Sequence, residues 1–147
     1  MRFPFISALC AAGFGLAALP AAAADAPTSV VTVITSADAQ TQLMGMVLTM
    51  QSIKAGATGH MLLCGPGGDI ALKDAPESAT AGQPPMDMSP QGLMQKIREA
   101  GATVEVCAIY LPGKGAETDV LVDGITVASP PEMAERLMMP NARVLTF

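Results

Sequence analysis

Hydrophobic positions in this chain change period several times after residue 28, and each change marks an element. Residues 29–35, SVVTVIT, form a β-branched apolar run without strict alternation, the pattern of a strand buried on both faces. Ser36 and Asp38 then offer N-cap oxygens, and over residues 39–55 Leu43, Met46, Val47, Met50 and Ile53 or Lys54 recur at i, i+3, i+4, i+7. That spacing predicts an amphipathic helix, stopped by Gly56. Residues 60–64, HMLLC, read as a second short strand that ends in the turn Gly65-Pro66-Gly67-Gly68-Asp69, with a short helix or turn through Leu72.

Residues 74–90, DAPESATAGQPPMDMSP, hold four prolines and almost no periodicity, which predicts a long exposed loop. Ser89 and Pro90 mark a helix start, and Leu93, Met94, Ile97 and Ala100 give its buried stripe before Gly101. A third strand is expected over residues 102–110, ATVEVCAIY, then loop over 111–119 and a short strand within 120–127. Ser129-Pro130 opens a helix through Met138, Pro140-Asn141 breaks it, and RVLTF at 143–147 is a last strand. Strands alternating with helices demand parallel pairing and right-handed crossovers, so the pattern predicts one three-layer α/β/α domain with a mainly parallel sheet.

The segment before residue 29 follows a different logic. Arg2 is followed by an apolar run from Phe3 to about Leu19, then Pro20 and a row of alanines. This is the pattern of a secretory signal peptide, with Ala22 and Ala24 as the small residues of its cleavage box. The expected division is a signal peptide over 1–24 and a single domain over 25–147. A membrane anchor is the alternative, but the run is marginal in length and is closed by Pro20. A lipoprotein signal is disfavoured because Ser7-Ala8-Leu9 lacks a small residue next to Cys10.

Without the leader, seven Lys/Arg face thirteen Asp/Glu, and two cysteines remain. An acidic domain with no Trp and one Tyr lacks both the basic surface and the stacking platforms of a nucleic-acid binder. Export implies an oxidising compartment, with a bacterial periplasm as the expected location, where a cysteine pair persists as a disulfide.

In an open parallel sheet, reactive groups gather beyond the carboxyl ends of the strands. Cys64 and Cys107 both lie there: Cys64 runs into the glycine turn, and Cys107 precedes Leu111-Pro112-Gly113-Lys114-Gly115. A thiol near backbone amides and a lysine can have a lowered pKa, which makes the reactive thiolate available. Three states of Cys107 stay open at this level: reactive thiolate, disulfide with Cys64, or inert core. Glu105, two residues before Cys107 and on its side of the strand, is either a proton acceptor or an edge charge.

CGPGGD has neither Walker A nor Rossmann spacing and reads as a tight turn. With His60 as the single histidine, no zinc cluster is expected, and His60 reads as a satisfied strand-edge residue. Met44, Met46, Met50, Met94, Met133 and Met138 fall at core-like helical positions. Met86 and Met88, in PPMDMSP, are the pair expected to be exposed, and with Cys64 or His60 they would suit Cu(I). No bound cofactor and no resident metal are expected.

GATVEVCAIYLPGKG after a Leu/Met/Ile helix, and CGPGGDIALKD after the second strand, resemble the DsrE/DsrF-like family of small sulfur-relay proteins. The match rests on Val104, Val106, Cys107, Lys114 and Gly115, within a likeness spanning Val30 to Phe147. The resemblance implies a five-stranded parallel sheet in the order 4-3-2-1-5, assembly into trimers or hexamers, and a role for Cys107 in carrying sulfur as a persulfide. It also implies that strands two and three are neighbours, so that Cys64 approaches Cys107, although bridging adjacent parallel strands is geometrically demanding.

Two features depart from the family: the export signal, since its relay members work in the cytoplasm, and Cys64, which matches no relay cysteine. The leading expectation is an exported sulfur carrier or sulfurtransferase-like protein with donor and acceptor proteins as partners. The alternatives are a non-catalytic periplasmic binding module for a small ligand or soft metal such as Cu(I), and a purely structural homo-oligomer.

Overall fold

The computed structural model describes residues 29–147, so the expected signal peptide, its cleavage box and Cys10 lie outside the described residues. Five strands form one sheet: β1 Ser29–Ile34, β2 Thr58–Leu63, β3 Thr103–Val106, β4 Thr126–Val127 and β5 Ala142–Thr146. Their order is β4-β3-β2-β1-β5 and every pairing is parallel, as the sequence pattern and the family resemblance predicted.

Five helices connect the strands: α1 Ala39–Lys54, α2 Glu77–Thr80, α3 Pro90–Glu99, α4 Tyr110–Lys114 and α5 Pro130–Leu137. From β1 to β4 the chain steps across the sheet in one direction, and after β4 it returns past three strands to place β5 beside β1. Right-handed crossovers in opposite directions put their connections on opposite faces. Hence α1 and α3 pack together on one face, and α5 crosses the other.

The two faces differ in depth. The α1/α3 face carries the larger core, with Ile34, Met46, Met61, Leu63, Met94, Ile97 and Val106 all fully buried. The α5 face holds a smaller cluster of Val31, Leu62, Ala128 and Met133. One eight-residue helix cannot cover five strands, and Leu137, Met139 and Val144 stay exposed there.

α1 sits one residue off the stripe that hydropathy suggests. Gln42, Gly45, Met46 and Thr49 are buried, whereas Val47 is exposed. Close approach explains this: Gly45 has no side chain where the Ile34 and Phe147 side chains press in, and Thr49 Oγ1 lies 2.6 Å from Thr32 Oγ1 on β1. Small and mutually hydrogen-bonded residues let the helix lie nearer the sheet than leucines would. Asp38 caps the helix, accepting from the Thr41 amide at 2.8 Å.

The proline-rich segment is largely exposed, as expected, with α2 inside it and a Gln83–Met88 bridge closing its tip. Two other expectations are corrected. The third strand stops at Val106 instead of running to residue 110, and α4 takes residues 110–114, where loop was expected from 111, because Tyr110 turns into the main core. Met44 and Met138 are exposed instead of packed.

Gly67 marks the tightest point behind the strand ends, since a Cβ there would meet the Ile34 carbonyl. Backbone cannot yield as a side chain can, so Gly67→Ala should destabilise the fold by about 1–3 kcal/mol. A urea unfolding midpoint equal to wild type would contradict this packing.

Candidate functional site

Cys64 and Cys107 extend their strands by one residue each. The Cys64 amide donates to the Ile34 carbonyl at 2.9 Å, and the Cys107 amide donates to the Leu63 carbonyl at 2.8 Å. The β2–β3 register sets Leu63 opposite Val106, so the next residues on both strands, the cysteines, stand side by side. They form a disulfide with a Cα–Cα separation of 5.1 Å, well inside the range a bridge requires. Of the three states open for Cys107, this structure holds the disulfide, and a thiolate there requires reduction.

Both chains leave the disulfide by tight turns. Cys64 is followed by a 3-10 stretch, Gly65–Ala71, whose Gly67 amide is taken by the Cys64 and Thr35 carbonyls. On the other side the Tyr110 amide donates to the Cys107 carbonyl at 2.9 Å and α4 begins. The Tyr110 ring lies against Gly68, where a Cβ would overlap it. Its hydroxyl donates to Asp69 Oδ1 at 2.7 Å, and burial together with the Asp69 carboxylate pushes the phenol pKa well above its ordinary value.

Lys114 Nζ pairs with the same Asp69 oxygen at 2.9 Å and stands 5.5 Å from the centre of the Tyr110 ring. The lysine expected to tune the cysteine is therefore committed to Asp69. Asp69, Tyr110 and Lys114, with Gly65, Pro66 and Ile109, line an open cleft of about 360 Å³ that begins one residue after Cys64. Ile109 is 81% exposed at its rim.

A second hollow, about 260 Å³, opens on the α5 side. Its lining includes Cys107, Leu62, Ala108, Ala128, Met133 and Leu137 and carries no charge. Cys107 thus borders the apolar hollow, while the cleft with Asp69 and Lys114 begins one residue beyond Cys64, at Gly65.

Further toward the amino ends of the same strands lies a constellation the sequence did not announce. His60, Glu105 and Arg136 come together from β2, β3 and α5. His60 Nε2 is 3.1 Å from Glu105 Oε2, Arg136 Nη1 donates to that oxygen at 3.0 Å, and Arg136 Nη1 is 3.1 Å from His60 Nδ1. Arg136 Nη1 also stands 3.2 Å from His60 Nε2; a neutral imidazole with its proton on Nε2 donates to Glu105 and leaves Nδ1 as the acceptor for Arg136. Burial of His60 and the nearby Arg136 charge lower its pKa below the usual 6.5, with Glu105 opposing.

Glu105 is therefore the counter-ion that docks α5, with its other oxygen taken by Thr126 Oγ1 at 3.3 Å, and not a base for the thiol. His60 is satisfied, as expected, but it lies buried within β2, a central strand, instead of at a strand edge. Arg136 received no role from the sequence, although its place three residues after buried Met133 puts it on the sheet-facing side of α5. Met86 and Met88 line a groove against α1, while His60 and Cys64 belong to the α5 side and the strand ends, so Met86 and Met88 meet neither Cys64 nor His60 in a copper set. Among the described residues, no group of three His, Cys, Asp or Glu could hold a metal ion.

No protein-family model matches the chain, and no curated protein matches it. Solved structures do. The chain is similar to the YchN protein of E. coli, with a TM-score of 0.61 and 18% identity over 82% of this chain and 99% of that one. It is also similar to MTH1491 of Methanobacterium thermoautotrophicum, a protein of unknown function, with a TM-score of 0.58 and 15% identity over 81% of this chain and 98% of that one. At these identities the likeness concerns the fold alone: a five-stranded parallel sheet with helices.

Two outcomes follow from this geometry. The disulfide closes a sequence separation of 43 residues, which in the chain-entropy account contributes about 4 kcal/mol. Reduction or Cys64→Ser/Cys107→Ser should lower stability by up to about that amount, read as a fall in the denaturant midpoint.

His60 should make the protein acid-sensitive. Its folded pKa is lowered, so as pH falls below 6.5 the unfolded chain takes a proton that the folded chain refuses, and stability declines until the folded pKa is passed. Unfolding free energy measured against pH should slope downward below that value in wild type and less so in His60→Gln. Equal slopes would remove His60 as the cause.

Proposed function

We propose that this protein is an exported sulfur carrier of sulfurtransferase type, in which Cys107 accepts sulfane sulfur and Cys64 is its resolving partner. The observation that carries this reading is the Cys64–Cys107 pair itself, bridged at the carboxyl ends of β2 and β3. The DsrE-type fold supports it at a coarser level.

The chemistry starts from the reduced pair. Cys107 thiolate attacks the outer sulfur of a donor persulfide; the donor's S–S bond breaks, the donor leaves as a thiolate, and Cys107 carries a persulfide. Delivery is redox-neutral when an acceptor thiolate attacks the outer sulfur and Cys107 leaves as thiolate. Without an acceptor, Cys64 thiolate attacks Cys107 Sγ, hydrosulfide departs with the bonding pair, and the disulfide re-forms. An external dithiol then reduces it by exchange and is itself oxidised to a disulfide.

Cleavage after residue 24 would place the pair in the periplasm, where an oxidising environment keeps it bridged between cycles. Donor and acceptor proteins are its transient partners. Assembly into a homo-oligomer, trimer or hexamer, would cover the Leu137, Met139 and Val144 surface that α5 leaves exposed.

Mass spectrometry after reduction and brief exposure to polysulfide tests the scheme. Wild type should gain one sulfur transiently and return to the disulfide mass, Cys64→Ser should retain the added sulfur, and Cys107→Ser should gain none. Equal gain on Cys107→Ser, or none on Cys64→Ser, would sink the assignment.

A further inference from the structure

The proline-rich segment raises a question that packing does not answer. Met86 is 78% exposed at the tip of a loop that is otherwise carefully held. The Gln83 amide donates to the Met88 carbonyl at 3.1 Å and the Met88 amide returns a bond to Gln83 at 3.3 Å, which closes the intervening turn. Within it Asp87 takes a left-handed conformation, φ 51°, and its carboxylate folds back over Gly82, where a Cβ would collide with it. Backbone strain and a reciprocal bridge fix where the two methionines of PPMDMSP stand.

Together with Met50 of α1 they line one groove of about 380 Å³, whose other walls include Leu43, Val47 and Pro84. Among the described residues, Lys54 is the single charged side chain lining it, and no carboxylate, imidazole or thiol does. A hard divalent cation finds no oxygen cage in such a groove and no compensating charge. A soft monovalent ion requires neither, since neutral thioethers are its preferred donors and carry no proton that would compete. Three rotatable bonds let each methionine bring its sulfur toward a common centre from the groove wall.

We propose that Met50, Met86 and Met88 form a thioether site for Cu(I), separate from the disulfide. Met50 takes the place in the donor set that Cys64 or His60 would have filled, because the fold carries those two to the other side of the sheet and to the strand ends. The loop bridge holds two donors in place, and α1 supplies the third.

The test uses the protein in its disulfide form, so that no thiol competes, with Cu(I) offered from a chromogenic chelator. One Cu(I) per chain should transfer to wild type. Met50→Leu/Met86→Leu/Met88→Leu should lose affinity by about tenfold or more, and Met46→Leu, altered in the core, should not. Met86→Leu alone, at a position too exposed to disturb folding, should weaken binding measurably. Ag(I) should shift the methyl NMR signals of methionines 50, 86 and 88 together. Failure of wild type to compete, equal affinity in the triple variant, or Ag(I) shifts confined to other methionines would overturn the site.

Discussion

The parallel register between β2 and β3 is the constraint on which the rest depends. It sets Leu62 against Glu105 and Leu63 against Val106, and the ladder continues by one bond, from the Cys107 amide to the Leu63 carbonyl. That alignment brings the cysteines within bridging distance at one end of the strands and His60 within reach of Glu105 toward the other. A slip of one residue would turn Glu105 and Cys107 to the opposite face and abolish both contacts together. The disulfide and the buried ion cluster are thus two consequences of one pairing.

Topology then decides what surrounds them. Because the chain reverses direction after β4, α5 is the one helix among the described residues that crosses the face carrying Glu105, His60 and the apolar flank of Cys107. Arg136 fastens its last turn to Glu105, and Met133 anchors its middle. The thin cover leaves the disulfide bordered by an open hollow, whereas the α1/α3 face is filled. Access to the sulfurs follows from this asymmetry, since the thicker layer lies on the other side.

How far the sequence could be read shows in particular residues. Ser29 to Ile34 betrayed a central strand because burial on both faces demands a continuous apolar run, and Pro90 with Ser89 located α3 because a missing amide costs nothing at a first helical position. Hydropathy places the α1 stripe one residue off, because helix–sheet proximity favours Gly45 and Thr49, which hydropathy counts as indifferent. The third strand was read too long because Tyr110 looks equally apolar whether it continues a strand or starts a helix. Met138 matched a buried period, yet it lies where α5 overruns the sheet.

Sequence by itself determined the alternation of elements, the parallel sheet, and the placement of Cys64 and Cys107 at strand ends, because those depend on local periodicity and on where turns fall. Tertiary structure decided which sulfur faces which, that Lys114 serves Asp69, that Glu105 is locked by His60 and Arg136, and that Met50 shares a groove with Met86 and Met88. Those pairings link residues tens of positions apart. Register and crossover hand select them, and neither is encoded in any single window of the chain.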